Sequence, residues 1–591
     1  MELFKRLLTI YKNHTLSITV VFITIVMLLL SFQGFDVVDE GWYMTFYQQF
    51  FNHPETVEYN FVFYLTGIIG GIWYELFPHG GIWSFRVLAL LCIVLTFVFA
   101  YKILIQYMSK TWAIIGLLMV LFVNDFGYVA FYYNQLSSLF AVLTIFFLLK
   151  GLVKNSIVFI MIAGGLTAIN VFSRLPNLTL FAFSLVFPLQ LLWNKSLGIK
   201  FIFKQAGAYG IGALLGFSIM YIILLSLGHL DIMQNSILAI LDKGQNTGSN
   251  HNFSKLLSVY FKEYYLLLKV FLKILIASMI LISTQKLLFR HNVGKYLWYA
   301  MGILIFVFVF RNYAIYALYA LSLFGCLSLL RGKTVKSNYK LLSLLALIMM
   351  LFLPLGSDGG IHNVGYVCIW LALPLFFYVI NQTDVLSFVW INKKIMSNVF
   401  FYKSILQYIL PLMVVGFFTV KVYKISNESY FDLGSRFNKV YAIDNKLARG
   451  IYTTKERAKI FNELLPELEK FVNKEDYLLA YDNIPMVNFL TQTQPYMYIS
   501  WVWVYDGEMF KKQLERAEAE IDVLPIVVQQ KFETIGQFST PDPYYMSEHK
   551  VENYRYNRNR VKAMNDFLDR NNYSISWSNA YFNIYEPNQN R

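Results

Sequence analysis

The segment Phe35-Asp36-Val37-Val38-Asp39-Glu40-Gly41-Trp42-Tyr43 places three carboxylates within five residues, among aromatic side chains and directly after a long apolar run. A lone acid there reads as a solvated loop end. The adjacent Asp39-Glu40 pair is less bland, because carboxylates at membrane depth are costly and tend to be kept for function. The chemistry open to such a pair is proton transfer. Three arginines also stand at the ends of apolar runs: Arg86 in Ser-Phe-Arg-Val, Arg174 in Phe-Ser-Arg-Leu-Pro-Asn and Arg311 in Phe-Arg-Asn-Tyr. A guanidinium fork matches the oxygens of carboxylates and phosphates. Each arginine therefore reads either as an anion ligand or as a snorkelling or structurally paired side chain. The loop Leu355-Gly356-Ser357-Asp358-Gly359-Gly360-Ile361-His362-Asn363 mixes three glycines with polar groups. It reads either as a ligand-approaching loop, since glycine lets backbone come close, or as a tight turn. His362 has no second His or Cys at coordinating spacing, so no metal site is expected. Asn124-Asp125 and Tyr132-Tyr133-Asn134-Gln135 are further candidates for a cavity lining.

The elements that must hold these residues follow from composition. Of 591 residues, 57% are hydrophobic and 15% charged, against roughly 25% charged in soluble proteins. That excludes an ordinary water-soluble globule. The net charge of +14 does not point to nucleic acid, whose binders cluster Lys and Arg on one polar face; here they punctuate apolar runs. Cys92, Cys326 and Cys368 all lie inside such runs, so neither a disulfide framework nor a thiolate metal site is expected. Lys5, Arg6 and Lys12 precede an apolar run from about Leu16 to Phe32. Its length suits a span and no small-residue cleavage site follows, so it is read as an uncleaved first helix.

Basic residues gather in seven clusters: Lys5/Arg6/Lys12, Lys102/Lys110, Lys150/Lys154, Lys195/Lys200/Lys204, Lys286/Arg290/Lys295, Arg331/Lys333/Lys336/Lys340 and Lys393/Lys394/Lys403. Residues 1–423 hold 29 basic and 13 acidic side chains, and the clusters take 20 of the former but only Glu2 and Asp384 of the latter. By the positive-inside rule the clusters are cytoplasmic. Seven of them, with a last helix leading out, require about thirteen transmembrane helices, near 16–33, 86–102, 112–130, 135–150, 156–173, 176–193, 206–227, 264–284, 296–311, 313–330, 341–355, 365–381 and 405–422. The apolar stretch Phe61–Phe77, interrupted by Gly67, Gly70 and Gly71, would break the alternation as a span and is read as an interfacial or re-entrant helix. It belongs to a first outer loop over 34–85. The loop Gly228–Lys262 reads either as a cover over the site or as a plain mobile loop.

The expected fold is thus an α-helical polytopic membrane protein, with a transmembrane domain over 1–423 and an extracytoplasmic α/β domain over 424–591. In the latter, Tyr477–Tyr481 and Val523–Gln529 read as strands, Lys511–Ile521 and Asn559–Arg570 as helices, and Tyr573–Tyr585 as final strands. The chain is expected in the inner (plasma) membrane with a cytoplasmic N-terminus.

An Asp-Glu pair in the first outer loop, followed by a juxtamembrane helix, resembles the GT-C glycosyltransferases, the class of the protein O-mannosyltransferases and the lipid A aminoarabinose transferases. Glu58-Tyr59-Asn60-Phe61-Val62-Phe63-Tyr64-Leu65 stands where members carry a Glu/Lys-Pro-Pro-Leu-x-Tyr-Trp stretch, although this chain lacks the Pro-Pro. Ile82-Trp83-Ser84-Phe85-Arg86-Val87-Leu88-Ala89 resembles their Arg-Leu-Pro-Ser-Ala segment. The resemblance implies transfer of a sugar from a polyprenyl-phosphate carrier to a lipid, glycan or protein acceptor outside the cytoplasm, without a cofactor and without a metal. It implies Asp39 as the base for the acceptor hydroxyl, Glu40 as the second choice and Glu58 as a partner that orients the acceptor. Asp36 is expected to cap or position the loop. Arg86, Arg174 and Arg311 become donor-phosphate ligands, while Asp358, His362 and Asn363 bind sugar hydroxyls or phosphate.

Two other readings remain. An O-antigen ligase or polymerase would use a polyprenyl-diphosphate donor and place its catalytic groups in a large late loop. A lipid or sugar transporter would need polar groups at mid-depth, whereas the spans are read as keeping their charges at the ends.

Overall fold

The computed structural model describes residues 2–123, 129–194, 198–245, 253–357, 359–382, 404–531 and 555–588. Asn124-Asp125, Asp358, Lys195 and the Lys393/Lys394/Lys403 cluster lie outside the described residues.

In hydrocarbon every backbone N–H and C=O must be paired within the segment, and the apolar runs accordingly form helices. α1 (Glu2–Ser31) leads to a buried loop and α2 (Asp39–Gln49); a 3-10 turn over Pro54–Phe63 leads to α3 (Tyr64–Leu76). Then follow α4 (Gly81–Leu104), α5 (Lys110–Val123), α6 (Tyr133–Lys154), α7 (Ile157–Val171), a 3-10 stretch Leu175–Leu185 running into α8 (Val186–Leu189), α9 (Ile199–Ser226), α10 (Leu230–Gln245), α11 (Phe253–Leu288), α12 (Asn292–Arg331), α13 (Ser337–Phe352), α14 (Gly360–Cys368), α15 (Ala372–Ile380) and α16 (Leu410–Asn427).

Among the described residues nine helices are long and apolar enough to cross a membrane, and α14 with α15, bent by 70°, form a tenth. α5 and α7 are apolar helices of 14 and 15 residues. α12 is interrupted at Tyr313 (φ −142°, ψ 31°), and its two halves run in opposite directions along α11. Before Tyr313, Trp298 Nε1 donates to the Leu281 carbonyl at 2.8 Å. After it, Tyr316 meets Glu263, Tyr319 meets Tyr264 and Phe324 meets Phe271. The second half thus returns, and the described helices overlie the expected spans, of which nine, or ten with the α14–α15 pair, have the length and apolar composition to cross a membrane.

α3, the stretch excluded as a span, packs on α2. A Cβ at Gly67 would come within 2.5 Å of Phe46 and Phe50, and one at Gly70 within 2.3 Å of Tyr47, so the glycines let two helices meet. Ile72, Leu76 and Phe77 stay exposed, an apolar edge suited to a membrane interface.

Beyond α16 the chain forms two short hairpins, β1 (Glu428–Ser429) with β2 (Asp432–Leu433) and β3 (Tyr441–Ala442) with β4 (Tyr452–Thr453). A five-stranded sheet follows, ordered β6-β5-β7-β9-β8, from β5 (Tyr477–Tyr481), β6 (Gln494–Pro495), β7 (Ile526–Gln530), β8 (Tyr573–Ser578) and β9 (Phe582–Pro587). β5 pairs parallel with β6 and β7, and β9 antiparallel with β7 and β8. α17 (Lys455–Leu468), α18 (Met486–Thr491), α19 (Gly507–Glu520) and α20 (Arg555–Arg570) complete an α/β domain. α18 lies directly on α2: Met486 N–H donates to the Val37 carbonyl at 3.0 Å.

Candidate active site

The acidic loop after α1 is buried, and its three carboxylates have three different partners. Asp36 turns inward. Its Oδ1 accepts the Val38 N–H at 2.8 Å and its Oδ2 the Glu40 N–H at 2.9 Å, so it holds the first turn of α2, the capping role expected for it. Burial pushes its carboxyl well above the usual range, and the neighbouring Asp39 and Glu40 push it further. Gly34, at φ +100°, lies where a Cβ would come within 2.5 Å of Ser429 Oγ.

Glu40 is held by Arg86 of α4. The guanidinium donates to both carboxylate oxygens, Nε to Oε1 at 2.7 Å and Nη2 to Oε2 at 2.6 Å. It also donates to the carbonyls of Ser31 at 2.7 Å and Gly34 at 2.8 Å. Glu40 is 2% and Arg86 5% exposed, so the pair is closed off from solvent. This corrects two expectations. Arg86 is occupied by protein groups rather than presented to a donor phosphate, and Glu40 is neutralised by it rather than poised as a base. The physical reason is that a desolvated carboxylate requires a partner, and the second turn of α4 supplies one.

Asp39 is the member of the trio that remains partly accessible. Its Oδ2 accepts the Tyr430 hydroxyl at 2.7 Å. Burial raises its carboxyl to about 6, Tyr430 pulls it down and Glu40 pushes it up. Tyr43, one turn along α2, Tyr132 and Tyr430 all feel the Asp39 charge. The ring of Tyr43 lies 5.7 Å from that of Tyr132 and 6.0 Å from that of Tyr133. Tyr132 and Tyr366 share a hydroxyl contact of 2.6 Å, which brings α14 to the same group. Arg174 is 6% exposed, and its guanidinium carbon lies 5.3 Å from the Tyr133 ring centre. Beside these residues, Asn134 Oδ1 and Ser173 Oγ are buried without a hydrogen-bond partner among the described residues. Unmet buried polar atoms are costly, about 1–3 kcal/mol each, and mark a place suited to a polar ligand. Gln135 has a local task, since its Oε1 accepts the Tyr132 N–H at 3.1 Å.

The C-terminal domain clasps the acidic loop from the other side. Asp432, fully buried, accepts the Phe35 N–H at 2.9 Å and the Thr453 hydroxyl at 2.7 Å, and is flanked by Arg457 at 3.5 Å and Lys439 at 3.8 Å. Arg457 Nη1 donates to the Phe35 carbonyl at 2.6 Å. Burial lowers the Lys439 ammonium to about 8 and the Arg436 guanidinium to about 10.

The remaining predicted residues lie elsewhere. Glu58 is bound by Arg516 of α19, at 2.8 Å to Oε1 and 3.3 Å to Oε2, and by Asn235 of α10 at 3.1 Å. It is a tie between the first loop and the C-terminal domain rather than a group turned to an acceptor. Arg311 is exposed at the α12 turn. His362 and Asn363 are exposed on α14, pinned through the His362 N–H to Glu263 Oε2 at 3.2 Å. No contact joins Arg311, His362 or Asn363 to Asp39 among the described residues. Tyr430, Tyr366 and the Asp432–Arg457 clasp were missed in the sequence. Tyr430 stands a few residues after the last apolar run, inside Asn427-Glu428-Ser429-Tyr430-Phe431-Asp432, and nothing local shows that it returns to Asp39.

No protein-family model matches the chain, and no curated protein sequence does. Among solved structures, the crystal structure of ArnT from Cupriavidus metallidurans in the apo state is similar over 97% of this chain and 98% of its own, at 11% identity and a TM-score of 0.41.

Proposed function

We propose that the protein is an integral membrane glycosyltransferase of the GT-C type, which moves a sugar from a polyprenyl-phosphate carrier to an acceptor hydroxyl on the extracytoplasmic face. The observation that carries this reading is Asp39: a carboxylate at the membrane surface, partly accessible, hydrogen-bonded on one oxygen by Tyr430 and titrating near neutrality. A base works best when its pKa lies near the working pH. The motif resemblance of the acidic loop and of the segment around Arg86 supports the class, and a polytopic helical layout followed by a C-terminal α/β domain agrees with it.

In this mechanism Asp39 takes the proton of the acceptor hydroxyl as its oxygen bonds to the anomeric carbon. The bond from that carbon to the phosphate oxygen breaks, and the carrier leaves as a phosphate monoester. Arg174 is the cation we assign to the departing phosphate, because it is buried beside the tyrosines that surround Asp39 and a preorganised charge in a dry site stabilises developing charge strongly. Asn134 and Ser173 offer polar contacts to the sugar. Arg86 and Glu40 hold the loop that carries Asp39. The basic clusters place the opposite ends of the helices in the cytoplasm, which puts this site and the C-terminal domain outside.

The test uses proteoliposomes with cell-envelope extract as acceptor source and labelled sugar on a polyprenyl monophosphate or diphosphate. Transfer from the monophosphate is expected, falling about 10²–10⁴-fold in Asp39→Asn. Undiminished transfer by that variant removes Asp39 from the mechanism. Transfer from the diphosphate alone overturns the donor assignment in favour of a ligase or polymerase, and no transfer from either returns the transporter reading.

A further inference from the structure

Lys255, Lys262, Lys269 and Lys273 on α11 are seven, seven and four residues apart, a spacing that keeps them on one helix face with a drift of about 20° per heptad. All four are exposed. Lys269 and Lys273 fall inside the predicted span 264–284, which corrects the expectation that the spans keep their charges at the ends. Lys269 Nζ lies 4.2 Å from the Tyr265 ring centre, and Lys273 Nζ lies 4.3 Å from the Tyr313 ring centre and 3.1 Å from its hydroxyl.

Lys273 and Tyr313 sit on a groove of about 370 Å³ between α11 and the first half of α12, lined further by Val270, Ala277, Leu304 and Phe308. Leu304 and Phe308 are exposed along it, as are Leu268, Leu272 and Ile276 on α11. An exposed apolar groove on two helices of spanning length suits a lipid chain rather than a peptide or a soluble glycan. From Asn292 to Arg311 the helix rises about 28 Å at 1.5 Å per residue, close to the ~30 Å hydrocarbon thickness. Lys273 and Tyr313 therefore stand about one hydrocarbon thickness from the Asn292 end of that helix, which moves the headgroup boundary on α11 from residue 264 to near Lys273. An ammonium there, whose partner among the described residues is Tyr313, retains donors for a phosphate, and the groove offers an apolar channel directly beside it.

We propose that this groove binds an anionic phospholipid of the outer leaflet, with its phosphate on Lys273, one acyl chain between α11 and α12, and the lysine stripe attracting the headgroup. The site is separate from Asp39, since no groove residue contacts Asp39 or the tyrosines around it among the described residues. The leaflet assignment rests on the orientation proposed above, whereas binding itself does not.

The full-length protein is reconstituted in nanodiscs of phosphatidylcholine with a minor fraction of phosphatidylglycerol, and the lipids retained after detergent extraction are counted by native mass spectrometry. The wild type is expected to retain phosphatidylglycerol preferentially. Lys273→Met should weaken retention about fivefold, the effect of one basic residue near a charged lipid surface. Ala277→Phe, which fills the groove and leaves every charge in place, should abolish it. Equal retention of both lipids by the wild type, or unchanged retention in either variant, overturns the proposal. Displacement of phosphatidylglycerol by an equimolar polyprenyl phosphate also overturns it and gives the groove to the carrier. Transfer activity plays no part in this readout, so its failure and that of the glycosyltransferase reading are told apart.

Discussion

Three acids in one short loop have three fates because of what each touches. Asp36 accepts two backbone N–H groups, Glu40 takes the Arg86 fork, and Asp39 receives one phenol. Only the last arrangement leaves a carboxylate oxygen for a substrate proton. Since Asp39 must be ionised to act, transfer should rise with pH through a midpoint near its value of about 6. Tyr430→Phe removes a donor that favours the ionised form, so the midpoint should move up by about half a unit to one unit, the equivalent of one neutral hydrogen bond. The check is the pH profile of kcat/KM. An unmoved midpoint, even with lower activity, would make Tyr430 a packing residue.

At the scale of elements, the position of Asp39 depends on how closely α2 approaches α18. Gly41, two residues on, is the point of contact: a Cβ there would come within 2.2 Å of the Met486 nitrogen and 2.4 Å of its Cα. Backbone atoms cannot swing aside as a side-chain tip can, so Gly41→Ala must separate the two helices. Overpacking of this kind costs about 1–3 kcal/mol, and thermal unfolding in detergent should show a lower midpoint together with reduced transfer. Gly207→Ala on α9 is the control. Nothing lies within 4 Å of its Cβ, and an unstrained helical alanine is favoured over glycine by about 1 kcal/mol, so its midpoint should stay or rise.

Over the whole molecule, the C-terminal domain is part of the site rather than an appendage. It contributes Tyr430 to Asp39, Arg457 to the Phe35 carbonyl and Arg516 to Glu58. The Glu58–Arg516 tie is partly buried, with side-chain exposures of 9% and 30%, so it should couple more strongly than the 0.2–1 kcal/mol of exposed pairs. A double-mutant cycle of Glu58→Gln and Arg516→Met, read from unfolding free energies, should give about 1–2 kcal/mol of coupling. Additive single effects would show that the Glu58–Arg516 tie contributes nothing to holding the domain.

Much of this architecture was legible in the amino-acid order. Partition into a membrane is decided locally, by the length of an apolar run and the charges beside it, so a membrane domain of many helices, the break between 311 and 313 and the exclusion of 61–77 could be read before any contact was known. The strand at 477–481 declared itself in the same way, and the run read as a strand over 523–529 forms one from 526 to 530, after Pro525. The acidic loop could also be picked out as the place where chemistry would occur. Which acid stays open could not, because that choice depends on partners distant in sequence: Arg86 lies 46 residues from Glu40, Tyr430 lies 391 from Asp39 and Arg516 lies 458 from Glu58. Only folding brings those charges and donors together. A buried carboxylate takes the partner that packing places beside it, and here packing assigned the arginines of α4 and α19 to Glu40 and Glu58 and left Asp39 with a phenol.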